Sequence, residues 1–242
     1  MQEIDVVVGG GIAGLVAALL LAERHGRKVA VIERESAPGG LLRRFDYGEH
    51  GVFDWGMHNM YETGISELDA LLLSLLPADQ WQILEGPKRD LAGVCYAGRQ
   101  QRNSPFPDLR LLLPDLYEKC VAGFFRQLDL AVDYGAENAW TDACTRFGQP
   151  IADLVIDPAM RKQFGKPARE MGAFATRLTT LWRMVMFDEP LCRDILQVSK
   201  LRERLAYPEQ RTLPVEWASG RKGYYPKAYG MYRIIDALLA RL

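Results

Sequence analysis

The stretch Ile4-Asp5-Val6-Val7-Val8-Gly9-Gly10-Gly11-Ile12-Ala13-Gly14-Leu15-Val16-Ala17-Ala18 constrains this chain more than any other. A short apolar run leads into glycines and then into small apolar residues, which predicts strand, tight turn and helix. Gly9, Gly11 and Gly14 fall on the three positions of the dinucleotide-binding fingerprint. The first allows a sharp turn off the strand, the second a close approach of pyrophosphate to bare backbone, the third close packing of helix on strand. The helix N-terminus then offers unpaired N–H groups and about half a positive charge to a phosphate. Ile12 and Ala13 belong to that first helical turn.

Three glycines alone are a weak signal, and here the surroundings strengthen it. His25-Gly26 closes the helix, with Gly26 expected as a left-handed cap. Lys28-Val29-Ala30-Val31-Ile32 reads as a second strand of the buried parallel type. Glu33 follows at the place where an acidic side chain can accept from ribose hydroxyls. The competing reading is a glycine-rich turn that binds nothing. It does not account for strand, turn, helix, strand and acid falling in order.

The next segments are Arg34-Glu35-Ser36-Ala37-Pro38-Gly39-Gly40-Leu41-Leu42-Arg43-Arg44 and Phe53-Asp54-Trp55-Gly56-Met57-His58. With the glycine fingerprint and Glu33, they resemble the flavoproteins grouped around amine oxidases, protoporphyrinogen oxidase, phytoene desaturase and UDP-galactopyranose mutase. That pattern has an acid ending the second strand, a Gly-Gly pair soon after, and Asp-x-Gly-x-His. Here these are Glu33, Gly39-Gly40 and Asp54/Gly56/His58. The resemblance implies FAD as cofactor. It places Gly9, Gly11, Ile12, Ala13, Gly14, Glu33, Arg34, Gly39, Gly40 and Leu41 along the adenosine diphosphate half, and Asp54, Gly56 and His58 near the flavin ring. Many members carry Arg or Lys directly after the glycine pair, where this chain has Leu41; either Arg43 or Arg44 is the substitute or the cofactor contact is weaker.

Downstream the pattern turns helical. Ile65, Leu68, Leu71, Leu72 and Leu75 form a stripe stopped by Pro77, and residues 93–100 read as a hairpin around Ala97-Gly98. Pro114 opens a helix whose stripe is Leu116, Cys120, Phe124, Leu128 and Val132, up to Gly135. Asn138 caps a shorter helix ended by Gly148, and a third is expected over Ile151 to Val155. Ala173 to Phe187 reads as another, with Phe174, Leu178, Leu181, Trp182 and Val185 toward the core; a membrane-surface role for that stripe is the weaker reading. Arg177 and Arg183 lie off the stripe, either on a solvated face or as a clamp for phosphate or carboxylate. The order Arg146-Phe147-Gly148, Pro158, Phe164-Gly165 resembles the helical substrate domain of the same flavoproteins. So does Tyr224-Tyr225-Pro226-Lys227-Ala228-Tyr229, which resembles the turn returning to the FAD domain; the tyrosines read as packing residues.

The expected fold class is therefore α/β: a partial Rossmann-type FAD-binding βαβ unit plus a mainly helical substrate domain with a short hairpin. The expected domains are residues 1–62, 63–222 and a return segment 223–242. Only two strands of buried parallel type are found, and no Gly-Asp segment of the kind that closes the flavin site in the resembled family. The chain thus reads as an N-terminal portion, completed by a missing half or a complementing chain, and binding FAD weakly or not at all when alone.

Composition narrows the partners. The 242 residues are 48% hydrophobic and 25% charged with a formal net charge of −1, which gives nucleic acid no electrostatic footing. Glu3 and Asp5 stand where a leader would be basic, and the run Ile12 to Ala22 is too short to span a bilayer. Four dispersed cysteines read as reduced thiols, so a cytoplasmic protein without metal or disulfide is expected. His50 reads as a surface residue. No Ser/His/Asp set and no carboxylate pair stands out, so no catalytic residue is nominated. The leading expectation is an FAD-dependent oxidoreductase acting on a small molecule at a C–N or C–C bond. The alternatives are a flavin-dependent nucleotide-sugar mutase and a non-catalytic nucleotide-binding remnant.

Overall fold

The structure, a computed structural model, describes residues 3–56, 59–88, 92–96, 98–128, 136–218 and 222–242. It divides into two units, Met1–Arg89 with Val215–Leu242 and Asp90–Pro214. The sequence lines, after residue 62 and before residue 223, fall elsewhere.

The first unit begins with β1 (Ile4–Val8), α1 (Ile12–His25) and β2 (Lys28–Ile32). The strands pair in parallel, Ile4 opposite Lys28 through Val8 opposite Ile32. Gly26 caps α1 in the left-handed conformation, with φ 59°, as its missing side chain permits. Leu15 and Leu19 on α1 are fully buried, whereas Ile4, Val6, Val8 and Ile32 are exposed. The expectation of strands buried on both faces is thus corrected: one side of each strand lies open, because α1 covers only one face of a two-stranded ribbon.

Next come the antiparallel strands β3 (Arg44–Asp46) and β4 (Val52–Asp54), then β5 (Met60–Tyr61), α2 (Ser66–Leu73) and β6 (Trp81–Leu84). The return strand Gly223–Pro226 lies between β5 and β6, antiparallel to both. That pairing ties α2 and β6 to the first unit. The C-terminal helix Tyr232–Arg241 packs Ile234, Ile235 and Leu238 into one apolar cluster with Leu15, Leu19, Leu42, Leu72 and Trp81. Each such side chain stabilises the unit by about 1.5–3 kcal/mol on burial.

The second unit opens on a hairpin, β7 (Val94–Tyr96) and β8 (Arg99–Gln101). α3 (Pro114–Arg126) carries proline in its first turn, and it buries Cys120, Gly123 and Phe124. Val132 and Gly135 of the expected stripe lie outside the described residues. α4 (Ala139–Phe147) begins at the expected cap: the Asn138 side chain accepts from the Trp140 and Thr141 N–H groups in a capping box.

The third expected helix is longer than its sequence signal. It runs as Gln149–Ile151, a π-helical turn Ala152–Ile156, and Asp157–Phe164. Pro158 explains the π turn. Its ring would clash with the Leu154 carbonyl in a regular α-helix, and the wider turn relieves that clash. The Leu154 carbonyl instead accepts from the Tyr96 hydroxyl at 3.4 Å.

The helix expected over Ala173 to Phe187 does not form. Two 3-10 turns, Ala173–Leu178 and Thr180–Trp182, occupy part of the segment. Phe174 and Leu178 are exposed, and Leu181 and Val185 are buried. The threonines explain the failure. Thr176 donates to Asp142, and Thr179 donates to the Thr176 carbonyl while accepting from the Leu181 N–H. Such local bonds compete with the helical ladder.

Candidate dinucleotide site

The corner between β1 and α1 is shaped by what side chains would do there. An ideal Cβ on Gly14 would lie 1.9 Å from the Gly9 carbonyl oxygen, so only glycine lets α1 sit this close to the strand. Gly9 turns off β1 with φ 105°, and its N–H donates to the Ile32 carbonyl at 2.7 Å. Gly11 is different. A Cβ there would meet nothing nearer than the Gly40 Cα at 3.9 Å, so the corner is open at this point. α1 has no side-chain cap and no acidic residue in its first turn, which leaves its N-terminal donors available to an anion. Ile12 is half-buried and Ala13 exposed in that turn.

Gly39-Gly40 closes over the same corner. Both have positive φ, 120° and 56°, and Gly39 donates to the Gly10 carbonyl at 2.7 Å. A Cβ on Gly40 would come within 3.2 Å of the Gly11 Cα. The structure therefore brings Gly11 and Gly40 together as two facing stretches of bare backbone.

Glu33 braces the turn from the end of β2. Its Oε2 accepts from the Gly10 N–H at 2.7 Å and its Oε1 from the Glu35 N–H at 2.9 Å. These backbone donors, Glu35 first, hold its carboxyl below the usual carboxylate range. Each oxygen keeps further acceptor capacity for ribose hydroxyls. Gly10 was missed by the fingerprint, and its place in the triple-glycine run was the available signal: a Cβ there would meet Glu33 and Pro38, each at 3.1 Å.

The remaining expected residues divide. Arg34 is exposed, and its guanidinium donates to Glu35 at 3.2 Å. Leu41 is exposed while Leu42 fills the core. The cation at the glycine pair is Arg43: its Nε donates to the Gly40 carbonyl at 3.1 Å and its guanidinium lies 5.0 Å from the Trp55 ring centre. Arg44 lies instead over Tyr232. Asp54 accepts from the Tyr225 hydroxyl at 2.8 Å and from the Met231 N–H at 2.7 Å. It thus fastens the return segment. Gly56 lies against the Leu41 carbonyl, which an added Cβ would approach to 3.1 Å. His58 lies outside the described residues. His50 is an exposed residue beside Glu49.

In the second unit, the Arg177 guanidinium is 3.6 Å from Asp142 and that of Arg183 lies 4.1 Å from the Trp182 ring centre. Among the described residues no group of three His, Cys, Asp or Glu could hold a metal, and no helix is long and apolar enough to cross a membrane.

Residues 7–71 match the family model of the NAD(P)-binding Rossmann-like domain. Over its whole length the chain is similar in structure to a reduced UDP-galactopyranose mutase, with TM-score 0.69 and 20% identity, covering 100% of this chain and 47% of that one. It is also similar to a putative protoporphyrinogen oxidase from Exiguobacterium sp. 255-15, with TM-score 0.59 and 15% identity, covering 99% of this chain and 51% of that one.

The chain has the fold shared by these two proteins, over about half the length of each.

The resemblance read from the glycines, Glu33 and Gly39-Gly40 is borne out at the level of fold, as is the α/β class with its partial nucleotide-binding unit and helical domain. No curated protein matches the chain in sequence. The chain spans about half the length of the solved structures it matches.

Proposed function

We propose that this chain holds FAD by its adenosine diphosphate half and supplies part of an oxidoreductase for a small-molecule substrate. The observation that carries this reading is the open corner at Gly11, faced by Gly40 and backed by a closed one at Gly14. Pyrophosphate oxygens would lie against Gly11, Ile12 and Gly40, receiving the free N–H groups of α1. Glu33, already ionised and oriented by two backbone donors, would accept from the ribose hydroxyls. Arg43, held at the Gly40 carbonyl, adds positive charge beside the phosphates. Bound FAD would supply the hydride acceptor, N5 of its ring, for a C–N or C–C bond. The half-length span supports a partner half, in the same or another chain, and the free cysteines support a cytosolic setting.

The nucleotide-sugar mutase is the second reading, since the chain is also similar in structure to a UDP-galactopyranose mutase. With the completed protein, an oxidase bleaches its flavin on adding substrate and consumes oxygen. A mutase needs a reductant and consumes none.

The direct test is thermal melting with millimolar ADP, FAD or neither. ADP and FAD should both raise Tm, since each binds only the folded state. Gly11→Val should abolish both shifts and leave the ligand-free Tm within a few degrees. Failure of both nucleotides to shift the wild-type chain overturns the reading, and the nucleotide-binding remnant with it.

A further inference from the structure

The second unit contains a cavity of about 550 Å³ between the β7–β8 hairpin and the π-turned helix. That volume suits a small-molecule ligand. Val94, Tyr96, Pro105, Pro107, Val155 and Leu181 give it apolar walls. The prolines fix the backbone there, so the shape is set before anything enters. The π turn at Ala152–Ile156 brings Val155 to the wall, and Ala159, one turn on, leaves room beside it.

The polar chemistry of the cavity is sparse. The Tyr96 hydroxyl is already committed to the Leu154 carbonyl. Gln163 and Thr180 are the neutral polar side chains of the lining, and Lys162 is its one charged group. The neighbouring Arg161 is held by Asp157 at 2.7 Å, whereas Lys162 has no ion pair or hydrogen bond among the described residues. A sugar would leave most of its hydroxyls facing apolar walls, which is costly. An apolar body with one anionic end matches the walls and the free ammonium together.

We propose that this cavity binds an apolar monoanion, with its hydrocarbon body among Val94, Tyr96, Val155 and Leu181 and its carboxylate paired with Lys162. The site is contained in the second unit and does not depend on the dinucleotide reading.

Isothermal titration of the full chain with decanoate and with decyltrimethylammonium, both below their micelle concentrations, tests the pairing. Decanoate should bind at least ten-fold more tightly. Lys162→Glu changes an exposed side chain and should reverse that preference. Ala159→Trp fills the cavity and should remove decanoate binding while the Tm shift given by FAD persists. Equal binding of the two amphiphiles, or a preference that Lys162→Glu leaves unchanged, overturns the proposal. Should Ala159→Trp fail to fold, the charge reversal alone decides. Loss of the FAD shift with decanoate binding intact would count against the dinucleotide reading only.

Discussion

The Tyr225 hydroxyl donates to Asp54 Oδ2 at 2.8 Å and accepts from the Gly230 N–H at 3.1 Å. Asp54 Oδ1 takes the Met231 N–H at 2.7 Å, so one carboxylate and one phenol fasten the return segment to β4. Tyr225→Phe leaves part of this network unpaired and should cost about 1–3 kcal/mol in urea unfolding. Burial, and then the bond to Asp54, push the Tyr225 hydroxyl up to about 12; burial and the Glu62 bond do the same for Tyr224. A pKa raised on folding contributes stability below the unfolded value, near 10, and loses it as pH rises through 12. Stability should therefore fall between those pH values, and less steeply in Tyr225→Phe. A pH-independent urea midpoint over that range would contradict the network.

Gly14 and Gly11 should respond oppositely to the same added methyl. Gly14→Ala sets a Cβ against the Gly9 carbonyl and should cost about 3 kcal/mol or more, at the severe end of overpacking, because backbone must move. Gly11 has an ordinary backbone conformation, φ −75°, and open space beyond it. Gly11→Ala should keep the wild-type Tm within a few degrees while weakening ADP. Circular dichroism melts with and without nucleotide separate the two effects. Equal stability loss in both would refute the account of the corner.

Asp142 is buried and pairs with two arginines. Arg146 and Arg177 each lie 3.6 Å from it, and Thr176 donates to it at 3.2 Å. Arg146 also donates to the Trp182 and Glu203 carbonyls, and burial lowers its pKa despite the carboxylate. Asp142→Ala leaves the Arg146 guanidinium buried without its counter-charge and should cost about 3–5 kcal/mol. Arg146→Met should be similarly harmful alone, and the pair together milder than the sum of the two. Additive losses in that double-mutant cycle would show that the residues do not act together.

Much of the glycine corner was legible in the residues. The β1–α1–β2 order, the Gly26 cap, the glycine corner and the Asn138 cap each depend on contacts within a short span, so local spacing carries them. The segment from Ala173 was misread for the converse reason. Its apolar spacing is helical, but the Thr176 hydroxyl is drawn to Asp142, far away in the chain. The Asp142–Arg146 pair left a trace, since two opposite charges one turn apart share the face of α4 that buries Ala143 and Phe147.

Local chemistry, then, settled that this chain turns on glycines after its first strand, and that Glu33 stands at the end of the second. Tertiary structure alone decided which cation stands at the glycine pair, what Asp54 holds, and that three prolines and a π turn enclose a cavity beside Lys162. The physical reason is range. A turn is chosen by the φ and steric demands of its own residues, whereas a buried carboxylate or a cavity wall takes its partners from segments far apart in the chain, and no spacing records which of them will meet.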